Sequence, residues 1–249
     1  MNLDNIKRHT EDIIVYENLL TPEESAAVIK VLDLQASRGT FEWTPISFYE
    51  SYSSNLPKDG DAEIEECGLP ATFFSDLEKK IIEITAYVNG KDPKQMCKIG
   101  YHTQKWEIGA YAREHSDNTD IDGSSSPFER SRYAAFVYLN EDFDGGTLRF
   151  PKQNLEINPK TGMIAAFAGG FKNTHEVTLI EKGVRYTLGS FWDDREESDY
   201  PQEVRDKWKE EMAKIRADQE VQRSEWQDLL KEGYKIGLDG KQYKIEEME

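Results

Sequence analysis

Short apolar segments separated by turn residues fill the stretch from Lys98 to Trp192 and constrain the fold more than any other feature. A tight turn is predicted at Asp144-Gly145-Gly146. Many short strands at such spacing are typical of a β-sandwich or jelly roll. We therefore predict a mainly β core with flanking helices, an α+β chain. The predicted strands lie near residues 98–112, 132–139, 147–150, 162–167, 175–180 and 184–192.

Two helices are predicted before this β region, after a short β-branched strand at residues 13–15. The first begins after Thr21, because Thr21 and Glu24 form a capping box and Pro22 suits the first turn. The second is predicted to begin at Ser75, with Glu78 completing a second box, and to end at Asn89-Gly90.

Residues 38–70 lie between these helices and are rich in Ser, Gly, Pro and acidic residues. Phe48, Tyr49 and Tyr52 are interspersed among them. Long loops inside compact domains often act as lids or binding elements. We therefore expect a loop that closes over a site, and a tolerated surface insertion is the open alternative.

The segment after Asp193 is densely charged and is predicted to be helical, with an apolar stripe that includes Trp208. A further short helix is predicted from Ser224 to Gly233, followed by a hairpin around Asp239-Gly240. We predict two parts: 1–194, with N-terminal helices in 1–97 and a jelly-roll core in 98–194, and 195–249. The second part is expected to be a charged helical extension whose C-terminal β-hairpin packs on the core.

The composition limits which binding partners and which cellular compartment we expect. The 249 residues carry a formal net charge of −17, which makes a nucleic-acid partner unlikely on electrostatic grounds. Cys67 and Cys97 are the only cysteines, which favours a reducing compartment. The N-terminus has no uninterrupted apolar region and no segment approaches 18 apolar residues, so we expect a soluble cytoplasmic protein with no membrane partner.

His115 and Asp117 are separated by one residue and therefore point to the same side of an extended segment. His175 begins a later predicted strand. Two histidines and one carboxylate form the facial arrangement that non-haem Fe(II) oxygenases use, because three coordination positions stay open. Two of these can take a chelating 2-oxo acid and the third can take dioxygen. Taken alone, the His-x-Asp pattern also matches a surface His and Asp in a polar turn.

Further motifs follow in order. Tyr138-Leu139-Asn140 ends an apolar strand, the run from Gly145 to Pro151 reads Gly-Gly-Thr-Leu-Arg-Phe-Pro, and Arg185 lies ten residues after His175. That spacing lets one strand end and the next return antiparallel, which places a guanidinium in the same cleft as the metal. A structural salt bridge is the alternative role for Arg185. An arginine offers a planar, two-pronged donor that matches a carboxylate.

From Lys98 to Trp192 the chain resembles the prolyl 4-hydroxylase type of 2-oxoglutarate/Fe(II)-dependent dioxygenases, whose pattern contains these motifs in this order. The resemblance implies a double-stranded β-helix (jelly-roll) core. It also implies that the iron ligands are His115, Asp117 and His175, and that no other catalytic residue is needed. Arg185 would bind the distal carboxylate of 2-oxoglutarate, a place that Lys occupies in some relatives. Tyr138 would be its hydroxyl partner, with core packing as the alternative.

Other positions carry weaker predictions. Thr187 shares the face of Arg185 and is a candidate for a further hydroxyl in the pocket, with a core threonine as the alternative. His9 and His102 are interpreted as structural or solvated, although His102 lies on the strand before the motif and could face the cleft.

The chain departs from the family at its aromatic positions. Trp106 stands where a tyrosine is common, Tyr111 lies one residue early, and Phe191 replaces in register a tryptophan of the family. The predicted substrate cleft nevertheless consists of four aromatic residues, namely Trp106, Tyr111, Tyr49 and Tyr52.

The predicted function is hydroxylation of an unactivated C–H bond of prolyl residues in a peptide or protein, with release of succinate and CO2. The implied cofactors are Fe(II), 2-oxoglutarate and O2, with ascorbate as a candidate reductant, and the expected partner is a proline-rich peptide or protein. A halogenase is disfavoured because Asp117 fills the position that a halide would need. The open alternatives are the same chemistry on a nucleic acid, a free amino acid or a lipid, and a non-catalytic metal-binding or sensing module.

Overall fold

A computed structural model describes residues 3–46, 51–236 and 242–244 of the chain. The first of its α-helices begins where local side chains satisfy the free amide groups of the first turn. At the start of the first helix, Thr21 and Glu24 form the predicted capping box, with bonds of 3.1 Å and 2.8 Å. The α-helices are α1 (Pro22–Ser37), α2 (Ala62–Glu66), α3 (Phe73–Val88) and α4 (Gln202–Lys231).

Sixteen strands are described, and four of the predicted strands between residues 97 and 193 are present with shifts of one or two residues at their ends. The predicted strand 98–112 was wrong at its end, because β5 stops at Trp106 and β6 starts only at Ala112. The predicted strand 175–180 is divided into β12 and β13. The strands are β1 (Ile6–Thr10), β2 (Ile13–Tyr16), β3 (Thr44–Ile46), β4 (Ser51–Asn55), β5 (Cys97–Trp106), β6 (Ala112–His115), β7 (Tyr133–Tyr138), β8 (Asp144–Gly145), β9 (Leu148–Phe150), β10 (Leu155–Ile157), β11 (Ile164–Ala168), β12 (His175–Val177), β13 (Ile180–Lys182), β14 (Arg185–Asp193), β15 (Tyr234–Ile236) and β16 (Gln242–Lys244).

Two antiparallel sheets form the core. The major sheet has the order β1-β2-β11-β7-β14-β5-β4-β3, and the minor sheet has the order β10-β9-β12-β6. Alternate residues of both sheets pack together between them, as in the predicted jelly roll. Phe167 of the major sheet and Phe150 of the minor sheet are fully buried there, with ring centroids 5.0 Å apart. The interior between the two sheets is the place where the candidate site lies.

The opposite face of the major sheet carries the helices. Leu77 and Ile81 of α3 and Val31 of α1 pack with Val137 and Leu188 from the central strands. A fully buried side chain of this size stabilises the fold by about 1.5–3 kcal/mol. The helical layer therefore fixes the central strands from outside and leaves their inner face for the site.

Two predictions in the N-terminal half were wrong in detail. The helix that was predicted to begin at Ser75 is α3, and it begins two residues earlier, at Phe73. Ser75 does not cap this helix, because its hydroxyl donates to the carbonyl of Thr72 inside the first turn. The segment 38–70 is not a loop throughout: it contains β3, β4 and α2, and β4 pairs with β5. Phe48 and Tyr49 lie outside the described residues.

The C-terminal part also differs from its prediction. The helix α4 runs without a break from Gln202 to Lys231, so Ser224 does not start a second helix. Trp208 is buried and its ring centroid lies 4.6 Å from that of Tyr200. Strands β15 and β16 pair as the predicted hairpin, whereas Asp239-Gly240 lies outside the described residues. The division of the chain after residue 194 stays a prediction.

Within residues 3–46, 51–236 and 242–244, no helix is both long and apolar enough to cross a bilayer.

Candidate metal and co-substrate site

Three predicted metal ligands meet in the interior at the edge of the minor sheet. His115, at the end of β6, is the antiparallel partner of His175, at the start of β12. One carboxylate oxygen of Asp117 lies 3.7 Å from Nε2 of His115 and 3.6 Å from Nε2 of His175. The three ligand atoms all lie within 4.8 Å of one another, so this group could hold a metal ion.

Backbone carbonyls orient both imidazoles. Nδ1 of His115 lies 2.7 Å from the carbonyl oxygen of Arg113, and Nδ1 of His175 lies 3.1 Å from that of Asn173. Because a carbonyl only accepts, the proton sits on Nδ1, and Nε2 carries the lone pair that a metal would bind. Burial lowers the pKa of both histidines, which favours the neutral form that binds metals.

The carboxylate of Asp117 has an environment that suits a cation. Burial raises its pKa well above the usual range, since nothing among the described residues compensates the charged form. Its second oxygen, Oδ2, is buried and has no hydrogen-bond partner within the described part of the chain. A bound divalent cation would supply the missing charge.

Gly169 fixes the backbone beneath this carboxylate. Its carbonyl oxygen accepts hydrogen bonds from the Asp117 amide and from the Ser116 hydroxyl, each at 2.8 Å. A Cβ atom at position 169 would lie 2.6 Å from the Ser131 carbonyl oxygen and 2.9 Å from Cβ of Asp117. The absence of a side chain therefore lets the ligand segment pack directly on the neighbouring strand end.

Gly169→Ala is accordingly expected to lower the Fe(II) affinity by about 10- to 100-fold, the usual effect of disturbing the support of a metal ligand. The added methyl group must displace Asp117, since its other close neighbour is backbone. Fe(II) titration under anaerobic conditions measures the effect. Gly170→Ala is the matched control, because a Cβ there meets only Asn118 Oδ1 at 3.6 Å. Equal Fe(II) affinities of the two variants would contradict this role of Gly169.

Arg185 begins β14 and projects into the same interior between two aromatic rings. Its guanidinium carbon lies 4.8 Å from the centroid of the Trp106 ring and 5.0 Å from that of Tyr138. Arg185 is 2% exposed and Tyr138 is fully buried. Burial raises the pKa of Tyr138, so its hydroxyl keeps a proton that it can donate.

The donors of this cluster lack acceptors. Nε and Nη1 of Arg185 and the hydroxyl of Tyr138 are buried, and none of them makes a hydrogen bond of normal geometry within the described ranges. The Arg185 guanidinium and the Tyr138 hydroxyl lie close enough to shift each other's pKa, but no carboxylate or carbonyl oxygen of the described residues accepts from these three atoms. Buried polar groups are nearly always paired in folded proteins, so unpaired donors indicate a ligand with acceptor oxygens. A carboxylate matches a guanidinium edge and a phenol. The residues present therefore fit a divalent iron at the histidines and a 2-oxo dicarboxylate reaching Arg185.

Trp106 was predicted to line the substrate cleft, but the structure places its ring against Arg185. Trp106→Leu removes the aromatic face that holds the guanidinium and should raise the Kd for 2-oxoglutarate by about 3- to 30-fold. Calorimetric titration measures this change. Trp43→Leu is the control, because Trp43 packs near Tyr186 on the helix-facing side of the major sheet. A Trp106 variant with the wild-type Kd would contradict the assigned contact.

The other predicted residues lie elsewhere. Thr187 is buried in the interior, where its hydroxyl donates to Oε1 of Gln104 at 3.0 Å. Tyr52 is the register partner of Lys105 and shares the helix-facing side of the sheet. Tyr111 contacts Arg113 in a shallow surface groove outside the minor sheet. The structure therefore does not bring Tyr52 or Tyr111 to the metal ligands, and Tyr49 lies outside the described residues.

Residues to which the sequence assigned no role in the site complete it. The ring of Phe167 lies 4.7 Å from that of His175 and that of Phe150 lies 5.6 Å away, so both shield this ligand from water. Phe136 lies 6.1 Å from Phe167. Their alternation along predicted strands was the available signal, because it places them on the same inner face.

Comparison with known proteins agrees with this geometry. Residues 101–193 match the family model of the 2OG-Fe(II) oxygenase superfamily. Human prolyl 3-hydroxylase 3 is 31% identical over 86 residues, which are 30% of this chain and 12% of the relative. Prolyl 3-hydroxylase 1 of Gallus gallus is 36% identical over 61 residues, 22% of this chain and 8% of the relative. The chain thus spans about an eighth or less of the length of these curated relatives.

Solved structures share the fold. A Pseudomonas putida prolyl-4-hydroxylase aligns with a TM-score of 0.56 and 18% identity over 75% of this chain and 95% of that one. A Trichoplax adhaerens prolyl hydroxylase, in complex with a peptide fragment of the hypoxia inducible factor oxygen degradation domain, aligns with a TM-score of 0.54 and 19% identity over 74% and 84%.

The predicted co-substrates 2-oxoglutarate and dioxygen follow from the family, whereas ascorbate stays a prediction. Over residues 101–193 the chain is similar to the 2OG-Fe(II) oxygenase superfamily, and it resembles the prolyl hydroxylases of that superfamily.

Proposed function

We propose that this chain is a 2-oxoglutarate- and Fe(II)-dependent dioxygenase that hydroxylates prolyl residues in a peptide or protein and releases succinate and CO2. The observation that carries the proposal is that a metal-ligand triad and a guanidinium with unpaired donors lie in the same interior between the two sheets. His115, Asp117 and His175 would hold the iron, and Arg185 with Tyr138 would hold 2-oxoglutarate.

The ligand residues determine where chemistry can occur. Three protein ligands on one side of a bound metal would leave its other side open to co-substrates. When bound there, Fe(II) supplies the activation of dioxygen, coupled to oxidative decarboxylation of 2-oxoglutarate. The protein keeps Nε2 of both histidines deprotonated through the bonds from Nδ1 to backbone carbonyls. Phe167 and Phe150 exclude water from the face of His175.

Arg185 and Tyr138 fix the orientation of the 2-oxo acid. Two donors from one guanidinium edge constrain both the position and the plane of a carboxylate. The guanidinium is held in place by the rings of Trp106 and Tyr138, so little side-chain freedom is lost on binding. The far carboxylate is thereby anchored, and the 2-oxo end is directed toward the iron ligands.

A prolyl substrate is favoured by the relatives. The curated matches are prolyl 3-hydroxylases, and the solved structures with the same fold include a prolyl-4-hydroxylase and a prolyl hydroxylase with a bound peptide fragment. Our proposal places the new hydroxyl on C4 of the prolyl ring, because the motifs from Lys98 to Trp192 resemble those of the prolyl 4-hydroxylases; the curated matches make C3 the alternative position. The high negative charge of the chain disfavours a nucleic acid as the substrate.

Turnover assays test this function. The protein is incubated with Fe(II), 2-oxoglutarate and air, together with proline-rich peptides, free proline or oligonucleotides in separate reactions. We expect one added oxygen per modified prolyl residue and an equal amount of succinate, with NMR of the product showing C4 and not C3. Succinate formation that is stimulated only by free proline or an oligonucleotide would contradict the proposed substrate.

A further inference from the structure

A row of uncharged side chains crosses the inner face of the major sheet beyond the Arg185 end. The register pairs Phe136 of β7 with Gly189 of β14, Gly189 with His102 of β5, and His102 with Asn55 of β4. Directly opposed residues in antiparallel strands share a face of the sheet. This row is therefore on the same side as Arg185, which is paired with Trp106 further along the same strands.

Gly189 allows two rings to lie over the strand. A Cβ atom at position 189 would be 2.9 Å from Cε1 of Phe136 and 3.0 Å from Nε2 of His102. The imidazole of His102 also stacks on Phe191, with ring centroids 5.7 Å apart and planes 16° apart. Phe191 in turn meets Phe136 edge to face at 5.8 Å. His102, Phe136 and Phe191 thus form one aromatic wall with a single polar member.

This wall lies next to the candidate metal site. Phe136 contacts Phe167 at 6.1 Å between ring centroids, and Phe167 contacts the metal ligand His175 at 4.7 Å. At the Arg185 end of the interior, Trp106 and Tyr138 flank the guanidinium and are 2% and 0% exposed. His102, Phe136 and Phe191 are only partly buried. The wall is therefore recessed in the interior near the metal site but keeps some exposed surface, and it is separate from the Arg185 cluster.

The polar group on this wall is uncharged and has no partner in the described part of the chain. No hydrogen bond joins the imidazole of His102 to another of those residues, in contrast to the paired Thr187 and Gln104 one layer away. Burial lowers the pKa of His102 to about 4, so the ring is neutral near pH 7. A neutral imidazole offers one donor and one acceptor, which is the pattern of a peptide group.

We propose that His102 hydrogen bonds to the backbone of the peptide substrate, while Phe136 and Phe191 pack against an uncharged part of it. This inference rests on the proposed function, and it assigns the substrate side of the site to the wall formed by His102, Phe136 and Phe191. Tyr111 and Tyr52, predicted for that role from the sequence, lie on other surfaces. His102 positions the substrate and contributes nothing to 2-oxoglutarate binding.

Binding and coupling measurements on His102 variants test the assignment. Peptide Kd is measured by calorimetry on the anaerobic complex with Fe(II) and 2-oxoglutarate, using a prolyl peptide that the wild-type protein hydroxylates. His102→Leu should raise the peptide Kd by about tenfold, the effect of losing one hydrogen bond to a partner left unpaired. It should also increase the succinate formed per hydroxylated peptide, because the peptide is less well positioned. The Kd for 2-oxoglutarate should stay within about twofold of the wild-type value.

His102→Gln is the matched variant, because its amide keeps one donor and one acceptor; we expect a peptide Kd within about threefold of the wild-type value. Gly189→Ala displaces the ring without removing it and should weaken peptide binding as His102→Leu does. The inference would be overturned if His102→Leu and Gly189→Ala both bound the peptide with the wild-type affinity. It would also be overturned if His102→Gln and His102→Leu lost the same amount of peptide affinity. Either result would leave the proposed function standing. Failure of the wild-type protein to hydroxylate any prolyl peptide would overturn the proposed function and this inference with it.

Discussion

Asp117→Ala is expected to lower both the Fe(II) affinity and the rate of succinate formation by more than about 100-fold, since removal of a ligand exceeds the effect of disturbing its support. In the metal-free protein the same change should leave the melting temperature unchanged or raise it. The reason is that Oδ2 of Asp117 is buried with no partner in the described residues, so the carboxylate destabilises the fold until a cation binds.

Calorimetric Fe(II) titration and thermal melting with and without metal measure these two effects. Asp120→Ala is the matched control, because Asp120 is an exposed carboxylate on the same loop. Metal should raise the melting temperature of the control as much as that of the wild-type protein. A metal-free Asp117→Ala protein that melts well below the wild type would show that Asp117 has a structural role instead.

Arg185→Leu is expected to raise the Kd for 2-oxoglutarate by at least about 100-fold, because two charge-assisted hydrogen bonds contribute roughly 1.5–3 kcal/mol each. Arg185→Lys should raise the Kd for 2-oxoglutarate by about tenfold, since lysine keeps the charge without the two-pronged geometry. Fe(II) affinity measured without 2-oxoglutarate should be unchanged in both variants. The sites for the metal and for the distal carboxylate are therefore separable by mutation.

Arg149→Ala provides the control for Arg185. Arg149 lies on the outer face of the minor sheet, where it bonds to Glu156 at 2.8 Å, and it is half-exposed. We expect its 2-oxoglutarate Kd to equal that of the wild-type protein. If Arg185→Leu bound 2-oxoglutarate as tightly as the wild-type protein, the assignment of 2-oxoglutarate to the unpaired donors of Arg185 would be contradicted.

The metal cluster was predictable from the sequence because its geometry depends on a short spacing. An i, i+2 pair on an extended segment shares a face, and His115 and Asp117 do converge. The ten residues from His175 to Arg185 were predicted to hold one antiparallel return, but β13 lies between β12 and β14, and these two strands belong to different sheets. Arg185 therefore reaches the interior from the major sheet, through sheet packing that the spacing alone does not encode. Periodic apolar strands likewise predicted most of β5 to β14.

The aromatic substrate positions were less predictable because small shifts in register move a side chain to the other face. The pairing of β6 with β12 shifts between His175 and Val177, and Tyr111, just before β6, points to the outside. Strand β4 has the sequence Ser-Tyr-Ser-Ser-Asn, which lacks apolar alternation. It is a strand because it extends the sheet beside β5, a tertiary contact that a local pattern does not encode.

Anaerobic native mass spectrometry of the protein with Fe(II) and 2-oxoglutarate tests the central claim most directly, that one interior binds both groups. We predict a species with one Fe(II) and one 2-oxoglutarate per chain. Asp117→Ala should lose the metal, and Arg185→Leu should keep the metal and lose 2-oxoglutarate. A wild-type protein that binds neither group, or an Arg185→Leu variant that still retains 2-oxoglutarate, would contradict the account.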